Sequence, residues 1–362
     1  MRILYFSKAS EIGPSSRYRI FQYLPYLHSR DVDVVVRPLF GPTYFWLLTW
    51  RILWLKTIAK TIYTLARFLK RGTDLLSIGA VDLIVIEGQL FPYLGPIVER
   101  ILSKRHKVVI ELDDAIYLTY RHERKIPAIL RVSQGAIVGN ATLARYARSY
   151  TPNVHIVPTV VDTERFRPVQ ASESRSHGAF ETTIMIGWIG LAYNLPFLEW
   201  LAPVFREIHE KCSVCVRVIS SRPLLLNGVN VDFKSWRYET EVEDLRGCHI
   251  GVMPLPDNEW AKGKCGLKLL QYMAVGLPAI ASPIGVNREI IFDGKNGYLA
   301  LTQEEWYEKL LTLCRDPELR ANMGRAAVRT VQGEYSLSVW GPRLADCYYS
   351  ILNDQTWNRG RT

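Results

Sequence analysis

A run of lysines and glycines near residue 265 has the composition of an anion-binding loop. Lys262, Lys264 and Lys268 place three positive charges within seven residues, and Gly263 and Gly266 precede a helical pattern. A glycine-flanked helix N-terminus presents free backbone N–H groups and a partial positive charge, which is what a phosphate needs. The alternative is a solvated basic turn, because glycine-rich turns before helices are common.

Two further groups of polar residues follow predicted strands in the N-terminal half. Asp113 and Asp114 come directly after an apolar run, either at a ligand-binding strand end or in a turn where Asp114 caps a helix. After the first strand, Gly13 allows close backbone approach to a ligand. Arg17 and Arg19 are candidates to clamp an acidic or phosphate-bearing acceptor, the alternative being ordinary surface arginines.

Short apolar runs alternate with longer helical patterns on both sides of a polar, aperiodic stretch. The alternation predicts βαβ units and a parallel sheet in each half. We expect two doubly wound α/β domains, residues 1–168 and 181–335, joined by a linker at 169–180 and facing a ligand-binding cleft. Helices are expected notably at Pro196 to Glu210 and Lys268 to Val275. The predicted strands are Ile3 to Phe6, Val32 to Val36, Leu83 to Ile86, Val108 to Leu112, Ala136 to Val138, Thr183 to Ile189, Cys215 to Ile219, Val229 to Phe233, Ile250 to Pro254, Ala279 to Ala281 and Tyr298 to Leu301.

The composition indicates a folded protein with an anionic partner. The chain has 362 residues, 48% of them apolar, and a formal charge of +10. This balance suggests nucleic acid, a phosphate-bearing substrate or an acidic membrane, although many enzymes are mildly basic without a specific cause. Because no RNA- or DNA-binding motif is present and the lysines concentrate at the loop, we expect no nucleic acid partner.

Cysteine usage and the N-terminus indicate the compartment. Six cysteines do not make a disulfide framework, and Cys212 with Cys215 favours buried thiols over a zinc site. The chain opens on a strand, and no stretch of about 18 uncharged apolar residues is present. We therefore expect a cytoplasmic protein with neither a signal peptide nor a spanning helix.

Residues 44–70 have an amphipathic helical pattern. Basic residues lie on one arc, and an opposite apolar and aromatic arc suits a helix in an anionic membrane interface. The alternative is an ordinary helix that packs its apolar face on its own sheet and exposes its basic face. The apolar arc contains Leu47, Leu48, Trp50, Trp54, Leu55, Ile58, Ile62, Leu65 and Phe68, and the basic arc Lys56, Lys60, Arg67 and Lys70.

The chain resembles the retaining GT-B glycosyltransferases, of the group 1 type and similar to glycosyltransferase family 4. The resemblance is specific over Ile250 to Gly297, where Gly266 to Glu289 and Asp293 to Gly297 are similar to the family's donor-site pattern. Looser similarities cover most of the rest: Val157 to Asp162 resembles an interdomain stretch, Gly187 to Gly190 the first strand and turn of the second domain, Met253 with Pro254 a strand end, and Tyr335 with Ser336 the start of a C-terminal segment, here 336–362, that crosses back to the first domain.

The resemblance also has departures. The family usually carries two glutamates eight positions apart, and the matching residues here are Gly263 and Gln271. It usually carries a basic pair after the turn that ends at Gly190, but no cation follows that residue here. We expect Lys262, Lys264 and Lys268 to supply the missing charge, with Gln271 hydrogen bonding the ribose through its amide.

Site roles follow from the resemblance. Asp113 replaces a family histidine and would bind a sugar hydroxyl or balance an oxocarbenium-like centre, with Lys264 and Lys268 beside it as catalytic cations. Trp236 would stack on the base, unless it is a core residue, and Glu289 would contact the donor, unless it only starts a helix. The implied donor-binding set is Gly13, Gly190, Trp236, Lys262, Cys265, Gly266, Leu267, Gln271 and Glu289, with Arg17 and Arg19 for the acceptor.

The function implied is sugar transfer from a nucleotide sugar to a hydroxyl acceptor with retention, without a metal or other cofactor. A glycan or lipid-linked acceptor, in cell-surface polysaccharide or glycolipid synthesis at the inner membrane face, fits the basic charge and the amphipathic segment. Three alternatives stay open: a nucleotide-sugar epimerase, a phosphorylase with pyridoxal phosphate on a lysine, and a non-catalytic homologue that binds a nucleotide or a partner protein.

Overall fold

The fold is described from a computed structural model covering residues 1–50, 52–169 and 183–354. Two compact units divide the chain. The first unit contains Met1–Thr159, Gly263–Cys265 and the described residues from Trp340 onward, and the second contains the remainder. The division passes between residues 159 and 160, earlier than the predicted domain end at 168. The predicted linker 169–180 lies outside the described residues, apart from Val169.

The first unit is built on a six-stranded parallel sheet in the order β2-β1-β3-β4-β5-β6. Strands β3, β4 and β5 are completely buried, as expected for central strands covered on both faces. All five predicted strands are present, and the prediction missed only the short edge strand β6. The strands are β1 (Arg2–Phe6), β2 (Asp33–Val36), β3 (Leu83–Glu87), β4 (Val108–Leu112), β5 (Gly135–Val138) and β6 (Val154–Ile156).

Helices connect these strands. Asn140 caps the last of them by accepting a hydrogen bond of 2.9 Å from the backbone N–H of Leu143, and three others begin with a proline in their first turn, where no donor is required. The helices are α1 (Pro14–Arg19), α2 (Leu24–His28), α3 (Pro42–Leu48), α4 (Leu53–Leu76), α5 (Ile97–Arg105), α6 (His122–Leu130) and α7 (Ala141–Arg148).

The second unit has its own six-stranded parallel sheet, in the order β12-β11-β10-β7-β8-β9. Its core contains the fully buried Trp188 and Trp306. Every strand predicted for this half is present, with ends that differ by two residues or fewer. The strands are β7 (Ile184–Ile189), β8 (Val214–Ser220), β9 (Val231–Ser235), β10 (Ile250–Met253), β11 (Ala279–Ala281) and β12 (Gly297–Leu299).

The helix predicted over Pro196 to Glu210 is two helices. Pro203 lies in the first turn of the second one, where its missing N–H and its constraint on the preceding residue favour a new start over a continuous helix. The predicted closure at Gly276 is confirmed by its left-handed φ of 86°. The helices of this unit are α8 (Leu195–Glu199), α9 (Ala202–His209), α10 (Glu241–Arg246), α11 (Glu259–Lys262), α12 (Leu267–Ala274), α13 (Asn287–Ile290), α14 (Gln303–Arg315) and α15 (Pro317–Glu334). The last helix, α16 (Leu337–Asn353), belongs to the first unit from Trp340 onward.

The amphipathic segment is two helices, α3 and α4, and its polarity is the reverse of an ordinary surface helix. The basic side chains turn towards the protein: Lys56 donates to the carbonyl of Leu48 and Arg67 to that of Pro38. The apolar side chains of α4 point outward, so the alternative of an apolar face packed on the sheet is wrong. Exposed side chains are Leu53 (76%), Trp54 (64%), Ile58 (52%), Ile62 (63%), Leu65 (59%) and Leu69 (75%).

The apolar arc is not uniformly exposed. Leu47 is buried, and Trp50, Leu55 and Phe68 are half-buried against the unit. Among the described residues, no helix is both long enough and apolar enough to cross a membrane.

Candidate functional site

Each sheet has a point where the strand order reverses, and ligands of doubly wound folds bind outside the carboxyl ends of the strands at that point. In the first unit the reversal lies between β1 and β3, and in the second between β7 and β10. The residues that follow these strands therefore define two candidate edges, which we call the first edge and the second edge.

The second edge contains the N-terminus of α12. Gly266 precedes this helix with a left-handed φ of 71°, and a β-carbon there would collide with Ile290. Glycine is therefore required both by the backbone conformation and by the packing. Among the described residues no side chain caps the helix, so its first N–H groups face the edge as anion donors.

Lys268 brings a charge to the same place. Its ammonium lies 4.4 Å from the centre of the Trp188 ring, and a β-carbon on Gly190 would lie 2.9 Å from its Nζ atom. Gly190 directly follows β7 and accepts a hydrogen bond from Ser220 of 2.8 Å. The glycine thus leaves space for the lysine to cross the end of β7, and the structure brings these two predicted donor residues together.

The other two lysines of the loop have acidic partners. Lys262 is ion-paired with Glu259 at 2.8 Å and with Asp257 at 3.3 Å, and these contacts raise its pKa. Lys264 belongs to the first unit, with its Nζ 4.0 Å from Asp114. Lys262 is therefore already neutralised by acids of its own loop, and its contact with the donor stays a prediction.

The remaining predicted donor residues of the second unit differ in exposure. Gln271 is only 4% exposed on α12, whereas Leu267 is half-buried and Glu289 is exposed on α13. Trp236 follows the edge strand β9, and its indole N–H donates to Glu241 over 2.8 Å. Trp236 is half-buried, so it is not the core residue that the alternative interpretation expected.

The first edge contains a buried carboxylate that the sequence analysis did not single out. Glu87 ends β3, and its Oε2 atom accepts hydrogen bonds from Ser16 Oγ at 2.6 Å and from the backbone N–H of Lys8 at 2.9 Å. Its other oxygen is buried and has no partner among the described residues. Burial raises the pKa of Glu87 to about 7, and the charge of Asp113 adds to the increase.

Asp113 and Asp114 directly follow β4, the strand that pairs with β3. Burial raises the pKa of Asp114 to about 6, against the opposing effect of Lys264. Asp113 is half-buried and lies two residues after Glu111, which is the register partner of Glu87 on the neighbouring strand. The first edge thus carries three carboxyl groups, and burial raises the pKa of two of them, to about 7 for Glu87 and about 6 for Asp114.

Residues 263–265 form part of the first unit, and the packing at Cys265 and at Gly263 departs from the predicted donor contacts. The thiol of Cys265 donates to the Asp113 carbonyl over 3.0 Å, and burial raises its pKa to about 12. Its side chain is thus a packing group rather than a donor contact. A β-carbon on Gly263 would lie 2.6 Å from Ala115, so this position cannot hold the glutamate that the resemblance implies without rearrangement.

The predicted acceptor clamp is wrong for Arg19. Its guanidinium is 1% exposed, pairs with Glu111 at 2.6 Å and donates to the Val157 carbonyl at 2.8 Å. Glu111 also accepts from the Tyr5 hydroxyl, so the pair is a buried structural element. Arg17 is buried as well, with its guanidinium over the Tyr18 ring, and is no exposed clamp.

Gly13 has a packing role. It precedes α1 with an ordinary φ of −72°, and a β-carbon there would lie 2.5 Å from that of Ala9. The close approach that requires glycine is therefore to the chain itself, not to a ligand.

The sequence did contain a signal for Glu87. It is the only charged residue of the run Leu83–Glu87, and it stands at the carboxyl end of an otherwise apolar strand. Across the described ranges, no group of three or more histidine, cysteine, aspartate or glutamate side chains is placed to hold a metal ion.

The second unit matches a known sequence family. Residues 183–316 match the family described as "Glycosyl transferases group 1", and this range contains every strand of the second sheet. Curated relatives include N-acetyl-alpha-D-glucosaminyl L-malate synthase of Bacillus anthracis, 32% identical over 95 residues, and D-inositol 3-phosphate glycosyltransferase of Arthrobacter sp. (strain FB24), 39% identical over 91 residues. The first match spans 26% of this chain and 25% of that relative's length, and the second spans 25% of this chain and 20% of that relative's length.

Solved structures match nearly the whole chain in fold. HepE of Anabaena, in complex with UDP and glucose, has a TM-score of 0.67 at 14% identity, with 97% of this chain and 100% of that chain covered. Sucrose-phosphate synthase of Thermosynechococcus elongatus has a TM-score of 0.68 at 14% identity, with 97% and 99% covered. The chain therefore has the GT-B fold, and its second unit matches the group 1 glycosyltransferase family.

Proposed function

We propose that this protein is a glycosyltransferase that takes its sugar from a nucleoside diphosphate sugar bound at the second edge. The observation that carries the proposal is the position of Lys268, which lies beside Gly190 and over Trp188 at the start of α12. An ammonium and helix N-terminal N–H groups at a topological switch point suit a diphosphate. HepE, which shares the fold, is described in complex with UDP-glucose.

The proposed reaction keeps the anomeric configuration and needs no metal or other cofactor. The bond from the anomeric carbon to the diphosphate oxygen breaks, and the acceptor oxygen bonds the same carbon from the same face. The acceptor proton passes to the departing phosphate oxygen. Lys268 and the α12 amides stabilise the negative charge that develops on the leaving group, because they are already oriented towards it.

The acceptor is proposed to bind at the first edge. Asp113 is the candidate for contact with the transferred sugar. Glu87 lies at the switch point of this unit with one carboxyl oxygen unpartnered among the described residues, which suits it to receive a hydroxyl hydrogen bond from an incoming ligand.

The setting we propose is the inner face of a membrane, in the synthesis of a glycolipid or a cell-surface polysaccharide. The exposed apolar side chains of α4 support this, because a contiguous exposed apolar patch on a protein marks an interaction surface. The net charge of +10 favours an anionic bilayer as the occupant of that surface.

The donor site can be tested with a thermal-shift panel of nucleoside diphosphates and nucleotide sugars. A ligand at 100 times its Kd adds about 2.7 kcal/mol, which raises the Tm by about 2 to 4 °C. We expect one base to give this shift, and Lys268→Ala to reduce it. Lys211→Ala, an exposed lysine at the amino end of β8, is the control. A full shift in Lys268→Ala would contradict the proposed donor site.

A second candidate is a non-catalytic relative that binds the donor without turnover. It is favoured by the two positions where the family carries glutamates: Gly263 packs on Ala115, and Gln271 is only 4% exposed. A nucleotide shift in the wild-type protein without nucleoside diphosphate release, on membrane extracts and on water, would support this candidate.

A further inference from the structure

A cavity in the first unit adjoins the first edge, because Gln89, two residues after Glu87, hydrogen bonds the lining residue His122 at 2.9 Å. It has a volume of about 680 Å³ and is formed by the loop between β3 and α5 together with α6 and the turn before it. Its basic lining residues are Arg100, Arg121, Arg124 and Lys125, and no carboxylate is among the residues that line it.

Three of these charges are available to a ligand. Lys125 is buried, paired with Glu99 at 3.5 Å and hydrogen bonded to the Phe91 carbonyl at 2.6 Å, so it holds the wall together. Arg100, Arg121 and Arg124 are exposed, and their guanidinium groups make no hydrogen bond or ion pair with the residues that the structure describes. Like charges around one cavity repel each other, and an anion would offset that cost.

The backbone around the cavity is held in an uncommon conformation. Tyr93 and Arg121 are non-glycine residues with left-handed φ values of 73° and 67°. Such residues cost about 1 kcal/mol or more and cluster at ligand-binding sites. Tyr93 and the neighbouring Tyr120 are 75% and 81% exposed, so aromatic faces stand beside the arginines at the rim.

The loop that lines the cavity packs against α4. The half-buried ring of Phe68 on α4 lies edge-on to Phe91, with centroids 5.2 Å apart, and Phe91 lies two residues before Tyr93 of the cavity lining. Leu94 on that loop and Ile97 on α5 are 50% and 66% exposed. Apolar surface therefore borders the cavity on the side of α4.

We propose that this cavity binds the phosphate group of an amphiphilic acceptor whose apolar chain lies towards α4. One guanidinium group can donate two parallel hydrogen bonds to phosphate oxygens. Three guanidinium groups therefore match a phosphate monoester or a diphosphate better than they match a single carboxylate. The inference rests on the proposed function in naming the ligand as the acceptor. The cavity's affinity for phosphate amphiphiles can be measured without any sugar transfer.

The test uses the full chain and co-sedimentation with phosphatidylcholine vesicles, with and without hexadecyl phosphate. The pocket variant is Arg100→Glu with Arg124→Glu, and the matched control is Arg105→Glu with Arg148→Glu, two exposed arginines of the same unit outside the cavity. We expect hexadecyl phosphate to strengthen wild-type binding about tenfold or more, the pocket variant to lose this gain and the control to keep at least half of it.

Two results would overturn the proposal. One is a pocket variant that keeps the full gain from hexadecyl phosphate. The other is an affinity of the cavity for inorganic pyrophosphate that equals its affinity for hexadecyl phosphate, because the apolar chain would then contribute nothing. Calorimetry measures this affinity as the part of the signal that depends on the cavity arginines.

The nucleotide thermal shift on the same variants separates this proposal from the proposed function. A pocket variant that keeps the nucleotide shift but loses the vesicle gain supports the cavity. A vesicle gain that the pocket variant loses, in a protein whose wild type shows no nucleotide shift, rejects the donor proposal and supports phosphate binding at the cavity.

Discussion

Arg19 illustrates what residue type alone cannot settle. Its position in the first loop and helix suggests an acceptor clamp, yet the side chain is 1% exposed and pairs with Glu111, which is 2% exposed. A signal for this was the glutamate inside the buried run Val108–Leu112, because a buried carboxylate requires a partner. Sequence reasoning singled out the arginine but not the acid that is its partner.

We expect Arg19→Met to destabilise the protein by about 3 to 5 kcal/mol, because it leaves the Glu111 carboxylate buried without its cation. The measurement is urea-induced unfolding. The double variant Arg19→Met with Glu111→Gln should recover a large part of the loss. If Arg19→Met kept wild-type stability and only raised the acceptor KM, the clamp interpretation would be restored.

Glu87 makes a pH-dependent contribution to stability. Because its folded pKa of about 7 lies above the ordinary value of 4.5, the folded state holds the proton more tightly than the unfolded state. The stabilisation is complete below about pH 4.5 and is lost as pH rises through 7, by up to about 3 kcal/mol.

We therefore expect Glu87→Gln, which keeps an acceptor for Ser16 and Lys8, to lose less stability than the wild type between pH 5 and 8. Thermal unfolding across that range measures the difference. Glu123→Gln, at an exposed position of α6, is the control and should follow the wild-type profile. A Glu87→Gln profile parallel to that of the wild type would show that this carboxyl titrates normally.

At the scale of elements, most strands were predictable because buried parallel strands are short apolar runs between turn residues. Two elements were not. Strand β6, Val154–Ile156, is three residues long and includes a histidine, so it lacks that apolar signal. The division between α8 and α9 could be predicted only by treating Pro203 as the start of a new helix, although the helical pattern of apolar residues continues through it.

Helix α4 shows a further limit of periodicity. The pattern correctly predicts two faces but not which face meets the protein. Here carbonyl groups at Leu39, Pro38 and Leu48 accept hydrogen bonds from Arg67 and Lys56, so the basic face is bound and the apolar face is left outside.

We expect the apolar face of α4 to bind anionic vesicles. Ile62→Ser with Leu69→Ser removes two side chains that are 63% and 75% exposed, and should weaken binding to phosphatidylglycerol vesicles about tenfold or more. The Tm should stay nearly constant because neither side chain packs in the core. Leu225→Ser with Leu301→Ser, exposed in the second unit, is the control. Equal weakening by both pairs would reject α4 as the membrane face.

For the whole molecule, the two parallel sheets were predictable because both halves repeat the same alternation of strands and helices, and the GT-B fold was implied by the family resemblance. The composition of the donor site was only partly predictable. Gly190, Gly266 and Lys268 lie together as expected, but residues 263–265 belong to the first unit. Lys268 belongs to the second unit and Lys264 to the first, whereas a one-dimensional pattern assigns the whole loop to one site.

The central claim is sugar transfer, and the most direct measurement uses a nucleotide sugar of the base found by thermal shift, labelled in the sugar, with a membrane lipid extract as acceptor. We expect the label to appear in a glycolipid or glycan with one nucleoside diphosphate released per sugar, and the anomeric proton of the product to show the configuration of the donor. Lys268→Ala should slow this about 100-fold or more. Binding of the donor with no release of nucleoside diphosphate would contradict the claim, and inversion of the anomeric centre would contradict the retaining mechanism.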